Sequence, residues 1–180
     1  MQNIIINTLG STLGSTLGST LGTTLTISPI INSITIISNS IYNLIGHIKV
    51  NKNTHHIELM KMLNKTDIEA TILLLQTIIL DISTLPQDKY FNNNKFIIIA
   101  LNNVKEIITQ IESELHDIKE KITYNTSLYV MSNMRSYDLL ANLEIAENKI
   151  SVLDRRCEYL FKSLDLCKHF TNTECPPMER

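Results

Sequence analysis

The chain has no tryptophan, only three cysteines, four prolines and five glycines among 180 residues, and no Asp, Glu, Lys or Arg before Lys49. Each shortage excludes something. Cys157, Cys167 and Cys175 crowd one end and are too few for the disulfide framework of a small secreted domain. Cys157 and Cys167 stand on one predicted helix about 15 Å apart by helical rise, too far to bridge each other. A reducing intracellular compartment is expected, and the start MQNIIINTLG lacks the Lys or Arg that opens a secretory signal. Basic residues number 16 against 18 acidic ones, so no net positive field draws in nucleic acid. Arg135, Lys149, Arg155 and Arg156 lie among Glu144, Glu147, Asp154 and Glu158, a mixed surface rather than a basic face. No nucleic-acid partner is expected.

Glycine is scarce and concentrated. Gly10, Gly14, Gly18 and Gly22 fall in the repeat TLGSTLGSTLGSTLGTTL, and only Gly46 lies elsewhere. Outside the repeat, turns are therefore few, and Pro29, Pro86, Pro176 and Pro177 mark a helix start, a loop and a tail.

What remains is helical periodicity. Ser28-Pro29 suits a helix opening, a capping hydroxyl with proline at the first helical position. Ile30, Ile34, Ile37, Ile41, Leu44 and Ile48 then form one apolar stripe, opposite a polar but uncharged face of Asn32, Ser33, Thr35, Ser38, Asn39, Asn43 and His47. A brief helix is predicted over residues 55–64. Thr66-Asp67-Ile68-Glu69 has the capping-box pattern for a third helix with Ile68, Ile72, Leu75, Ile79 and Ile82 inward. Leu73, Leu74, Ile78 and Leu80 widen that stripe, which predicts a helix central to the bundle.

LPQDKYFNNN is the clearest internal loop. Two long helices follow with heptad spacing. The first carries Ile97, Leu101, Val104, Ile108, Ile111, Leu115, Ile118 and Ile122. The second, from about Ser136 to Lys168, carries Leu139, Leu143, Ala146, Ile150, Leu153, Cys157, Leu160, Leu164 and Cys167. The expected fold is all-α: an antiparallel bundle of four to five helices with two long heptad-patterned members. Residues 1–27 form an uncharged low-complexity arm, 28–168 the bundle and 169–180 a tail. A heptad stripe could instead pair with a second copy as a coiled coil.

TDIEATILLLQTIILDIS at residues 66–83 and VLDRRCEYLFKSL at 152–164 resemble uncharacterised helical proteins of giant amoeba-infecting DNA viruses. The similarity spans residues 30–168. The 28 isoleucines and 18 asparagines agree with the AT-rich coding such viruses use. The resemblance implies a viral setting, host cytoplasm or virion, and no mechanism.

Candidate chemistry is thin. His55, His56 and Glu58 stand near a helix start, but adjacent histidines point apart on a helix. Glu112, His116 and Glu120 follow one helix flank and read as an exposed ion-pair ladder with Lys119 and Lys121, since a carboxylate-bridged metal site wants inward Glu-x-x-His pairs. Cys167, His169 and Cys175 lack a CxxC knuckle. No GxxxxGK[ST], GxSxG or HExxH occurs in the sequence. No catalytic residue, metal ligand or cofactor site is assigned.

In water, four interior glycines would cost a helix about 4 kcal/mol relative to alanine. In a bilayer the same spacing is a small-xxx-small array, so Gly10, Gly14, Gly18 and Gly22 are the candidate seam for a membrane or an oligomer. A flexible arm is the third reading. The chain is expected to be a non-catalytic interaction or accessory protein working through protein partners or self-association. The alternative is a membrane-active bundle touching the bilayer through residues 1–48.

Overall fold

The structure, a computed structural model, describes residues 27–50, 55–85, 94–127 and 139–172, with side chains to residue 167. The glycine repeat, Arg135, Cys175, the loop residues 86–93 and the tail after 172 lie outside these residues, as does the side chain of His169. Five helices are described: α1 (Ser28–Val50), α2 (His56–Thr66), α3 (Ile68–Thr84), α4 (Lys95–Ser127) and α5 (Leu140–Asn172). They pack on one another as an all-α bundle around one core of isoleucine and leucine.

The polar pairs between helices fix direction and register. Lys49 binds Glu69, and Gln76 Nε2 donates to Asn39 Oδ1 at 2.9 Å, so α1 and α3 run antiparallel. Lys121 reaches Asn142 at 2.6 Å, Lys149 reaches Glu114 at 2.6 Å and Arg156 reaches Glu106 at 3.1 Å, which makes α4 and α5 antiparallel too. Lys65 binds Glu147, and Thr71 donates to Asp154 at 3.3 Å, so α2 and α3 together run parallel to α5. Going around the bundle the order is α1, α2/α3, α5, α4, with directions alternating along the chain. The link from α3 to α4 therefore joins helices that are diagonal rather than adjacent. The broadest packing is of α4 on α5 and of α1 on α4, so α4 is flanked along its length on two sides.

Burial follows the predicted stripes closely in the long helices. In α4 all eight heptad positions from Ile97 to Ile122 are buried, and Ile98, Ala100 and Ile107 join them on a second flank. Leu139, just ahead of α5, and the α5 positions Leu143, Ala146, Ile150, Leu153, Cys157, Leu160 and Cys167 are buried as predicted, with Leu164 half-buried. The central position expected of α3 goes instead to α4. Its inward residues Ile68, Ile72, Leu75, Ile79 and Ile82 are buried as predicted, but Leu73, Leu74 and Leu80 face outward.

Three local expectations shift. In α1 the carbonyl of Ile27 accepts the N–H groups of Ile30 and Ile31, so the first turn opens one residue ahead of Ser28 and Pro29 is not its first residue. The stripe rotates with it. Ile31 and Ile45 are buried beside Ile34, Ile41, Leu44 and Ile48, while Ile30 and Ile37 sit at its edges. Ser38, predicted on the polar face, is fully buried, and its hydroxyl has no hydrogen-bond partner.

The capping box at residues 66–69 does not form. The Thr66 hydroxyl donates back to the Met62 carbonyl at 2.9 Å, and Asp67 takes a left-handed φ of 45° with no side-chain cap on α3. Threonine in the last turn of α2 bonds i−4 because the backbone there is still helical.

An unsatisfied buried hydroxyl costs about 1 to 3 kcal/mol, whereas alanine at the same site costs nothing in hydrogen bonding. Ser38→Ala should therefore raise stability by about 1 kcal/mol in urea unfolding, helped by alanine's better helix propensity. A lowered midpoint would show that the hydroxyl is bonded and that α1 sits otherwise.

Candidate functional site

The charged residues distribute unevenly over the folded surface. Across the α4–α5 seam, cations and carboxylates pair: Lys149 with Glu114, Arg156 with Glu106, and Lys162 with Glu158 along α5 at 2.7 Å. Charged side chains recur along the outer sides of these two helices, among exposed Ile99, Tyr124, Leu140, Tyr159 and Leu166. Lys149 and Arg156 are thereby engaged with carboxylates of α4 rather than with the acidic residues that neighbour them in sequence.

The outward side of α1 and α3 differs. From Ser28 to Ile48 no residue of α1 is charged, and from Ala70 to Leu80 none of α3 is. Its exposed members are Asn32, Ile36, Asn39 and Asn43 on α1 and Ala70, Leu73, Leu74, Thr77 and Leu80 on α3. Ile36 is 68% and Leu80 65% exposed, values that make them surface residues rather than edges of the core. The Asn39–Gln76 hydrogen bond ties the two faces together. Charge appears only at the ends, where Lys49 and Glu69 pair at one and Asp81 stands at the other.

The rule that an exposed helix carries charge on its outer face fails here over three turns of α3. Uncharged polar groups with large aliphatic side chains are cheap to desolvate compared with Lys or Glu, and charged residues are depleted in the same way at the centres of protein interfaces. The sequence singles out the uncharged face of α1 apart from Ser38, which is buried. It does not single out α3, where the apolar periodicity draws Leu73, Leu74 and Leu80 into the core stripe.

The histidine and carboxylate candidates fall as follows among the described residues, while Cys167, His169 and Cys175 reach beyond them. Beside His56, whose Nδ1 is buried and unbonded, Glu58 is exposed. In α4 the structure groups His116, Asp117 and Glu120, not Glu112, with ligand atoms within 4.8 Å of one another. All three are solvent-exposed, and His116 Nδ1 lies 3.5 Å from Glu120 Oε1. The ladder with Lys121 is not formed, since Lys121 reaches across to Asn142. An open carboxylate–imidazole cluster on one helix competes poorly with water for a cation.

A half-open cleft of about 680 Å³ lies at the bundle end where α3 and α5 finish and α4 starts. Ile78, Ile82, Leu85, Ile97, Phe161 and Cys167 give it an apolar lining, with Asp81, Lys162 and Asp165 as its charged members. Lys162 is already held by Glu158. Burial raises the Cys167 thiol pKa, which keeps it protonated and a poor nucleophile.

Cys157 is buried in the α5 stripe, and burial, with a smaller effect from the Asp154 charge, pushes its thiol up to about 11 from the ordinary 9.0. The sign follows from linkage. Below pH 9 both folded and unfolded thiols are protonated and stability is unaffected; between 9 and 11 the unfolded thiol ionises first, so stability falls as pH rises. Relative to Cys157→Val, the native chain should lose about 2 kcal/mol across that window. Parallel pH profiles for the two proteins would show the thiol to be solvated.

No protein-family model matches the chain, and neither a curated protein nor a solved structure does.

Proposed function

We propose that this is a non-catalytic helical interaction protein, a structural or accessory factor that works by contact with protein, in the viral setting its resemblance implies. The observation that carries the reading is the charge-free outward face of α1 and α3, set against the ion-paired surface of α4 and α5. Desolvating that face on contact forfeits little, and its leucines and isoleucine gain from burial at about 25 cal/mol per Å².

Photo-crosslinking tests it. A benzophenone side chain at Leu80 should yield covalent protein adducts in cells, while the same group at Asp117, exposed on α4, should yield few. Equal yields from both positions would sink the reading.

The membrane-active alternative draws on the 48 uncharged residues at the start of the chain and on the glycine spacing within them. Among the described residues no helix is long and apolar enough to cross a membrane. Vesicle flotation separates the two readings. The full chain and the chain beginning at Ile27 should both stay at the bottom of the gradient, and flotation of the full chain alone would transfer the function to the arm.

A further inference from the structure

We infer that the outward face of α3 is the seam of a symmetric dimer, its occupant a second copy of this chain. The inference rests on the reading of that face as a protein contact and names the partner. It begins from a conflict: α3 is uncharged from Ala70 to Leu80 and carries large aliphatic side chains on two opposite sides, a composition suited to an enclosed helix, yet the bundle covers only one of those sides.

α3 carries two stripes. Ile68, Ile72, Leu75, Ile79 and Ile82 are buried in the bundle. On the opposite side Ala70, Leu73, Thr77, Leu80 and Thr84 repeat at spacings of three and four, the rhythm of a coiled-coil seam, and none is charged. That second stripe is nearly palindromic about Thr77, with a leucine on each side and a small residue at each end.

Such a stripe is complementary to itself in one orientation. With a two-fold axis beside Thr77, an antiparallel pairing sets Leu73 against Leu80 of the partner subunit. A parallel pairing would place Glu69 against Glu69 of the partner subunit and Asp81 against Asp81 of the partner subunit, like charges directly opposed. The antiparallel pairing keeps them apart.

The neighbouring face of α1, with Asn32, Ile36 and Asn43, extends the contact. Seventeen residues of α3 span about 25 Å and two adjacent helices about 20 Å, on the order of 500 Å² per copy. Doubled, this reaches the roughly 1,000 Å² that a specific interface has to clear, so the dimer is weak and reversible.

The test is sedimentation equilibrium of the full chain from low to high micromolar concentration. The mass should rise from one copy to two, and the double variant Leu73→Lys, Leu80→Lys should remain a single copy with an unchanged far-UV circular dichroism spectrum. Thr77→Cys, close to the axis, should oxidise to a covalent dimer through that residue, an arm that does not depend on the lysine variant folding. A native chain that stays monomeric throughout overturns the self-pairing while leaving crosslinking at Leu80 to judge the contact itself. Dimerisation that survives the double lysine variant, or that vanishes only when residues 1–26 are removed, places the seam elsewhere and overturns it too.

Discussion

Ile111→Asp, or Leu153→Asp, is expected to abolish the cooperative fold: circular dichroism should show large loss of helix at room temperature, with no melting transition remaining. The register of α4 against α5 explains why these two positions are equivalent. Glu114 meets Lys149 and Lys121 meets Asn142, which sets Ile111 opposite Val152 and Leu153 in the middle of the seam. Ile111 and Leu153 are fully buried, and the ion pairs flank them without reaching inward. A carboxylate placed there finds no cation and either loses its hydration at a cost of several kcal/mol or takes up a proton to avoid doing so. It also forfeits the burial of an aliphatic side chain, worth about 2 kcal/mol or more. The sum approaches the whole stability of a domain this size, about 5 to 15 kcal/mol. Ile111→Val calibrates the site, since deleting one methylene there should cost only about 1 kcal/mol and leave the transition intact. If Ile111→Asp melts like the native chain, the seam is open to water and the α4–α5 pairing is wrong.

The same stripe shows what makes a fold legible from sequence. Long heptads announce themselves because one wrong residue in eight does not shift the phase, and for α4 every predicted inward position is buried. In α1 the phase was ambiguous. Isoleucine at both 30 and 31, and at both 36 and 37, supports two stripes rotated by one position. The tie is broken by packing between α3 and α4, which the sequence does not display, and it carries Ser38 into the core. In α3 the ambiguity was greater, because a helix apolar on two opposite sides reads as central whatever surrounds it. The candidate face was hidden by that reading. Its α1 half was legible as a missing set of charges, whereas its α3 half becomes visible only once the bundle has buried the other stripe. The capping box failed for another reason: four letters matched, but Thr66 still belongs to α2, and its hydroxyl bonds to the preceding turn.

That junction yields the second large effect. α2 and α3 are joined by Asp67 alone, the one described non-glycine residue with positive φ. A straight helix through residues 56–84 would need α-helical φ at 67, but Lys65 and Thr71 already hold the two pieces to α5 at Glu147 and Asp154 on either side of the break. Left-handed backbone disfavours most side chains by roughly 1 to 2 kcal/mol, and Asp and Asn are among the few that tolerate it. Asp67→Gly removes that penalty and should raise stability by up to about 1 kcal/mol. Asp67→Pro acts in the opposite direction with greater force. The ring holds φ near −65°, far from 45°, and also pushes Thr66 out of helical conformation, so a loss of about 3 kcal/mol or more is expected. Urea unfolding of the two variants beside the native chain gives the measurement. A gain with glycine and a loss with proline match the left-handed joint; a loss with glycine, or a tolerated proline, would mean that the chain does not break at Asp67.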